Sequence, residues 1–255
     1  MRSGNDWLTI AAIGILAMCV VTFDHEALGH GGVCLLLQGH ITLLSSSIFR
    51  CSARSGWIDP AGPAMNLLMG ALALIASRFV PPRRPKLKLF LISVTAFSFF
   101  WEAGYVMDAM RTRHGDLYFF AQFMLDDVPL WLRLVAAACG VALYVAGIRL
   151  TSRALLELWS DSAIARRVAR TLWVGASAGA AVAALAYRGE GWGDLRDAVL
   201  EIAACAFPLL FIPLNRRKTA AAGTPFVIAR SYSAIALSLV VFAVFTATLG
   251  RGVAF

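Results

Sequence analysis

Two histidines and two carboxylates lie within seven residues of one another near the start of the chain. They form the segment DHEALGH at positions 24–30, which continues an apolar run that begins at Trp7. A carboxylate at the centre of a bilayer costs about 2.5–3.5 kcal/mol on insertion scales, so such groups normally face the protein interior and serve a function. The alternative is a polar cluster that only bonds neighbouring helices. The presence of two histidines and two carboxylates in seven residues favours a functional site instead.

The residue types in this segment are those of a zinc site. In the H-E-x-x-H motif, two histidines on one helical face bind the metal and the glutamate is the general base. Here His25 and His30 are five residues apart, which places them roughly 140° apart on a regular helix. A π-bulge would absorb the extra residue and bring both onto one face. Gly29 lies inside the motif, so we expect the bulge at or near this residue.

The composition predicts an all-α, polytopic transmembrane bundle. Apolar residues make up 59% of the chain and charged residues only 15%, against roughly 25% in soluble domains. A span needs about 20 mostly apolar residues. Six to seven spans are expected, from runs at Trp7–Phe23, Pro60–Val80, Leu87–Met107, Val128–Leu150, Ala169–Tyr187, Ala198–Leu214 and Phe226–Leu249. Ala198–Leu214 is the weakest of these runs, and the first is interpreted as a retained helix rather than a signal peptide.

The net charge of +8 reflects membrane topology rather than nucleic-acid binding. Basic residues concentrate in three alternate connections, at 83–88, 149–170 and 216–230, and the other connections hold two each. This is the positive-inside pattern. It predicts a multi-pass membrane protein, in the cell membrane if the source is bacterial, with a cytoplasmic N-terminus. Segments 38–59, 108–127 and 188–197 would then lie outside.

Smaller features complete the predicted organisation, a single transmembrane domain over 1–255. The connection 38–59 is expected to hold a short hairpin or a re-entrant stretch, and Asp116–Leu125 is too short to span and is placed at the interface. Residues 220–225 are interpreted as a flexible link. All five cysteines are interpreted as small hydrophobic residues. They are Cys19, Cys34, Cys51, Cys139 and Cys205.

Two motifs resemble the site-2 protease family of intramembrane zinc metalloproteases. The family's H-E-x-G-H helix ends in a short apolar stretch with glycine, and here LLLQG follows at 35–39. The family's next core helix opens with G-P-x-x-N, matched by Gly62, Pro63 and Asn66. The resemblance covers roughly residues 10–76 and implies a protease-like core over 7–127, with additional helices over 128–255. The expanded spacing is similar to the H-E-x-x-G-H motif of the dipeptidyl-peptidase III family, which shares nothing else with this chain.

The chain departs from the site-2 protease pattern at the third ligand, because the family's L-D-G motif is absent. A catalytic zinc keeps three protein ligands and an open position for water. Asp116, at the start of an apolar helical segment, occupies the kind of position at which the family aspartate lies. Asp108 and then Glu102 are the alternatives, and His114 is interpreted as a loop residue. The predicted orientation of the first helix is opposite to that of the family.

The resemblance implies hydrolysis of peptide bonds in or near transmembrane segments of membrane proteins. His25, His30 and Asp116 would hold Zn²⁺, Glu26 would be the general base, Asn66 would position the substrate or stabilise an oxyanion, and Asp24 would orient a histidine. The alternatives are a catalytically inactive scaffold that binds helices, or a membrane metal-binding protein or transporter. The expected partners are the lipid bilayer and a transmembrane substrate, with no nucleic acid. The small residues at 175–180 suit close helix packing, including formation of a homo-oligomer.

Overall fold

The computed structural model describes residues 4–81, 83–188, 193–212 and 226–255, and they form a mainly helical bundle. Six helical segments in these ranges are long and apolar enough to cross a membrane, which confirms the predicted polytopic helical fold. They are Trp7–Leu36, Ala61–Phe79, Pro85–Thr112, Leu130–Leu158, Ser162–Leu185 and Tyr232–Gly250.

Two of these segments combine α-helix with π-helix. The first contains α1 (Trp7–Phe23), a π-helix (Asp24–His30) and α2 (Gly31–Leu36). The last contains α10 (Tyr232–Phe245) and a π-helix (Thr246–Gly250). The continuous spans are α3 (Ala61–Phe79), α4 (Pro85–Thr112), α6 (Leu130–Leu158) and α7 (Ser162–Leu185). The short elements are α5 (Asp116–Leu125), α8 (Gly193–Ala198), a π-helix (Val199–Ala204) and α9 (Pro208–Phe211).

Three of the long helices begin at residues whose side chains cap them. Asp6 accepts a hydrogen bond from the backbone N–H of Thr9 at 2.9 Å and caps α1. Asp161 caps α7 in the same way, and Ser231 caps α10. Such side chains satisfy backbone donors that have no partner within the helix. Pro85 occupies the first turn of α4, where no backbone donor is needed.

Small residues let α1 and α7 pack at backbone contact. A Cβ at Gly14 would collide with the Leu172 carbonyl, and one at Gly175 with the Ala11 carbonyl. Close approach of this kind is typical of membrane helix pairs. Within the described residues, the small-residue stretch predicted for close packing therefore serves contacts inside the chain. Larger side chains on α4 fill the other part of the core, among them the fully buried Phe97, Phe100 and Trp101.

A three-stranded sheet lies at one face of the bundle. Strand β1 (Ile41–Leu44) pairs with β2 (Phe49–Cys51) as a hairpin, one of the two alternatives expected in this connection, and β3 (Val253–Ala254) pairs with the other side of β1. We call this side of the bundle the hairpin face. The opposite side, where Asp6 bonds Ile228 at 2.7 Å and Arg230 at 2.9 Å, is the N-terminal face.

The chain between α7 and α10 returns from the hairpin face to the N-terminal face in broken helical pieces. Arg188, after α7, bonds Arg251 next to β3. The Ala203 and Leu210 carbonyls then accept bonds from Trp173 and Arg170 of α7, both at 2.9 Å, so the segment runs antiparallel to α7. The weakest predicted run, Ala198–Leu214, is thus not one continuous helix. Leu214, the basic residues 216–218 and the predicted link 220–225 lie outside the described residues.

The interpretation of all five cysteines as small hydrophobic residues is wrong for two of them. Cys34 and Cys51 form a disulfide with their Cα atoms 6.0 Å apart. Cys34 lies in α2, and the β1–β2 hairpin returns Cys51 to it, a contact that the spacing of 17 residues did not reveal. Cys19 and Cys205 are free and buried, as expected of small hydrophobic side chains, and Cys139 is free and exposed.

Candidate metal centre

The first π-helix places His25 and His30 on the same side of the backbone. The N–H of Gly31 bonds the carbonyl of Glu26, five residues earlier, and the π-helical stretch covers Asp24–His30. The predicted π-bulge is therefore confirmed, and it includes Gly29. A bulge of this kind is compatible with a helix whose ligands are five residues apart, since it absorbs the extra residue.

Asp116 reaches both histidines from the start of α5. Its Oδ2 atom lies 3.4 Å from Nε2 of His25 and 3.4 Å from Nε2 of His30. The three potential ligand atoms all lie within 4.8 Å of one another, and both histidines are buried. Burial opposes ionisation of the Asp116 carboxyl, but hydrogen bonds from His25 and His30 outweigh it and hold its pKa well below the ordinary value. The chain turns into this position at Gly115, whose φ of +106° favours glycine.

The start of α3 fits against the two histidines because it carries glycine. A Cβ at Gly62 would meet Nε2 of both His25 and His30, at 2.6 Å in the case of His25. A Cβ at Gly29 would in turn lie 2.6 Å from the Cα of Gly62. These two glycines allow α3 to contact the π-helix where the potential ligand atoms converge. The donor set and this cradle fit a single small cation.

Both histidines are oriented through their other ring nitrogens. Nδ1 of His30 lies 2.7 Å from the carbonyl oxygen of Ile58. Because a carbonyl oxygen only accepts, Nδ1 must carry the proton and donate this hydrogen bond. Nδ1 of His25 lies 3.2 Å from Oε1 of Glu102, and Asn66 donates to the same oxygen at 2.7 Å. Such partners fix the tautomer and the ring plane of a metal-binding histidine. Trp101 stacks on the His25 ring with centroids 4.5 Å apart and further limits its motion.

The remaining predicted site residues occupy different positions. Glu102 contacts the Nδ1 side of His25, away from Asp116. Asp108 pairs with Arg111 at 2.5 Å, and His114 packs on Phe119. Asp24 is buried, and among the described residues neither of its carboxylate oxygens has a hydrogen-bond partner.

Asn66 is fully buried against Glu102 and His25 and does not line the cavity described next. This geometry supports a positioning role through His25 and gives no support to a direct oxyanion contact, which stays a prediction.

A cavity of about 80 Å³ opens beside the three potential ligands, with room for several water molecules. It lies towards the hairpin face. Its lining consists of His25, Glu26, His30, Ser47, Phe49, Ile58, Asp59, Tyr105, Asp116 and Glu201. Glu26 thus faces the same space as the potential ligands. Burial and the nearby charge of Asp116 raise the pKa of Asp59 to about 6.

The positions of Tyr105, Asp59 and Glu201 at the cavity were not predicted from the sequence. Tyr105 lies three residues after Glu102 on α4, so the two share one helical face, a spacing visible in the sequence. Asp59 precedes α3, and nothing in the sequence around it indicates that it lines the cavity. Glu201 stands out as an ionisable residue in an apolar run, but only the fold places it at the cavity.

No family model matches this chain, and neither the search of curated proteins nor the search of solved structures finds a similar protein.

Proposed function

We propose that this protein is an intramembrane zinc metallopeptidase of the site-2 protease type. One observation carries the proposal: a π-helix inside a membrane-spanning segment brings His25 and His30 to within 3.4 Å of Asp116. Two neutral imidazoles and a carboxylate form a ligand set suited to Zn²⁺ with one open position. The His-Glu motif and the Gly-Pro-x-x-Asn motif, which meet at Gly62, support the same class of enzyme.

The residues of the cavity have the chemistry that peptide hydrolysis requires. A zinc ion held by His25, His30 and Asp116 would lower the pKa of a bound water towards about 7. Glu26 takes a proton from the attacking water as the water oxygen bonds to the peptide carbonyl carbon. The carbon–nitrogen bond then breaks, and Glu26 returns the proton to the leaving nitrogen. Glu102 holds His25 in place throughout.

The position of the cavity favours a membrane-protein substrate. It is enclosed by spanning helices and by the β1–β2 hairpin, so a peptide bond reaches it from the bilayer or from the hairpin face. A transmembrane helix must unwind locally before its backbone can enter. The substrate class is therefore the end of a transmembrane segment or the chain next to it.

Metal content and cleavage test this proposal separately. Purified protein in detergent is expected to hold about one zinc per chain by elemental analysis, and His30→Ala and Asp116→Ala to lose it. Glu26→Gln is expected to keep the metal and to cut cleavage of an unstructured reporter polypeptide by at least about 100-fold. Glu157→Gln, an exposed substitution on the N-terminal face, is the control and is expected to change neither quantity.

The two negative results of these experiments lead to different conclusions. Wild-type protein that holds no metal under zinc-replete conditions overturns the metal site and favours the inactive scaffold. Protein that holds zinc but cleaves nothing, with Glu26→Gln indistinguishable from wild type, favours a metal-binding protein without peptidase activity.

A further inference from the structure

Glu201 is a buried carboxyl group that the proposed hydrolysis does not use. It lies in the π-helix Val199–Ala204 and is only 6% exposed. It lines the cavity beside the potential zinc ligands and also a second, smaller cavity next to Met18, Thr22 and Phe245. The side chain therefore stands at the wall between α1, α7 and the metal centre.

The carboxyl of Glu201 has no hydrogen-bonding or ion-pair partner within the described parts of the chain. No hydrogen bond or ion pair reaches it there, and no lysine or arginine lines either cavity. A buried carboxylate without donors or a counter-charge is strongly disfavoured. A group that enters the cavity with a positive charge would remove that penalty.

The other charges around the metal cavity favour the same kind of ligand. Four carboxyl groups line it: Glu26, Asp59, Asp116 and Glu201. When these four groups are ionised, their total negative charge exceeds the positive charge of a bound divalent metal ion. Electrostatic complementarity then selects a cationic group and rejects an anionic one. Because Asp116 and Glu26 are assigned to the metal and to proton transfer, Asp59 and Glu201 are the carboxyls left for recognition, and Glu201 is the more deeply buried of the two.

We propose that Glu201 forms a specificity subsite that binds the ammonium or guanidinium group of a lysine or arginine next to the cleaved peptide bond. This inference rests on the proposed function. Asp59, which faces the same cavity from the segment before α3, assists through its charge. The alternative is that Glu201 stays protonated, only fills space and gives no preference for any substrate side chain.

Two uncleavable peptide hydroxamates test the subsite without any measurement of turnover. They are identical except that one carries lysine and the other norleucine, its uncharged analogue, beside the hydroxamate group. Binding to zinc-loaded, detergent-solubilised protein is measured by calorimetry. Wild type is expected to bind the lysine compound at least about tenfold more tightly. Glu201→Gln, with unchanged zinc content, is expected to lose that preference, while Glu157→Gln keeps it.

The possible results separate the two proposals. Equal affinity of wild type for both compounds overturns the subsite and leaves the metallopeptidase standing. A lysine preference that survives in Glu201→Gln assigns the selectivity elsewhere and also overturns the subsite. If neither hydroxamate binds zinc-loaded protein, the bound zinc has no coordination position open to a substrate, and both proposals fall. Should Glu201→Gln fail to fold, Glu201→Met, which also removes the charge and has a similar side-chain length, takes its place in the same comparison.

Discussion

The ring of His25 is held from both sides, and this constraint determines which nitrogen is available to a metal. Oε1 of Glu102 lies 3.2 Å from Nδ1 and also accepts a hydrogen bond from Asn66, which holds the carboxylate in position beside the histidine. With Nδ1 engaged there, Nε2 faces Asp116. The carboxylate also increases the basicity of the imidazole as a ligand.

Glu102→Gln is accordingly expected to weaken zinc binding about 10- to 100-fold without abolishing it. The amide keeps the size of the side chain and removes the negative charge beside the His25 ring. Competition with a fluorescent chelator measures the dissociation constant. The matched control, Glu157→Gln, removes a carboxylate far from the site. A Glu102→Gln protein with wild-type affinity would show that His25 needs no orientation by this carboxylate.

Gly62 is a second residue at which the site tolerates little change. Gly62→Ala places a methyl group against Nε2 of both histidines, where the metal would bind, and buried imidazoles have no room to move. We expect this variant to hold less than about a tenth of the wild-type zinc by elemental analysis. Gly32→Ala, two residues beyond His30, is the control, because no atom lies within 4 Å of its added Cβ. Full zinc content in Gly62→Ala would contradict the assigned position of the metal.

The sequence predicts part of this site and leaves the rest to the fold. His25, Glu26 and His30 are recognisable because they lie within six residues of an apolar run, and Asp116 because it opens an apolar helix. Glu102 contacts His25 across 77 positions of the chain, and such a contact has no local signature. Cys34 and Cys51 were misinterpreted for a related reason, since only the hairpin brings them together.

At the scale of the element, the π-helix Asp24–His30 is the feature that makes the motif compatible with a metal. The apolar pattern predicts the long helices well because lipid requires continuous spans, and it predicts their ends less well. The 193–211 segment is divided into α8, a π-helix and α9, which packs against α7 and begins at Pro208, and the apolar pattern alone does not predict this division.

Deletion of Leu28 tests the interpretation of the bulge. Leu28 is 44% exposed, and its removal leaves the spacing H-E-x-x-H, which a regular α-helix presents on one face. Because the bulge absorbs one residue, its loss keeps the flanking helices in register. We expect the deletion variant to bind zinc within about tenfold of wild type.

Deletion of Val20, in the regular part of α1, is the matched control for this experiment. It rotates the π-helix by about 100° relative to the first half of the span and is expected to abolish zinc binding. If both deletions abolish it equally, the extra residue is required for more than the spacing of the histidines.

At the scale of the whole molecule, the two ends of the chain lie on opposite faces of the bundle. Asn5 and Asp6 bond residues 228 and 230 on the N-terminal face, while β3 joins the hairpin on the other. An even number of crossings would return the C-terminus to the N-terminal face. With six long candidate spans, we therefore expect a seventh crossing, made by the broken segment from Gly193 to Phe211.

Two separate features predict the orientation of the bundle. The basic connections predict a cytoplasmic N-terminal face. The Cys34–Cys51 disulfide lies at the hairpin face, and disulfides persist mainly outside the cytosol. Short epitope tags at the two ends, tested with antibody on sealed spheroplasts, are expected to be accessible only at the C-terminus, and both become accessible in detergent.

The result separates the number of crossings from their direction. Two tags with the same accessibility would mean that the Gly193–Phe211 segment does not cross. An accessible N-terminal tag with a protected C-terminal tag would keep the seven crossings and reverse the bundle, so that the metal centre would open towards the cytoplasm. The expected result places the cavity, the hairpin and the disulfide together at the outer surface, where the proposed substrate must unwind.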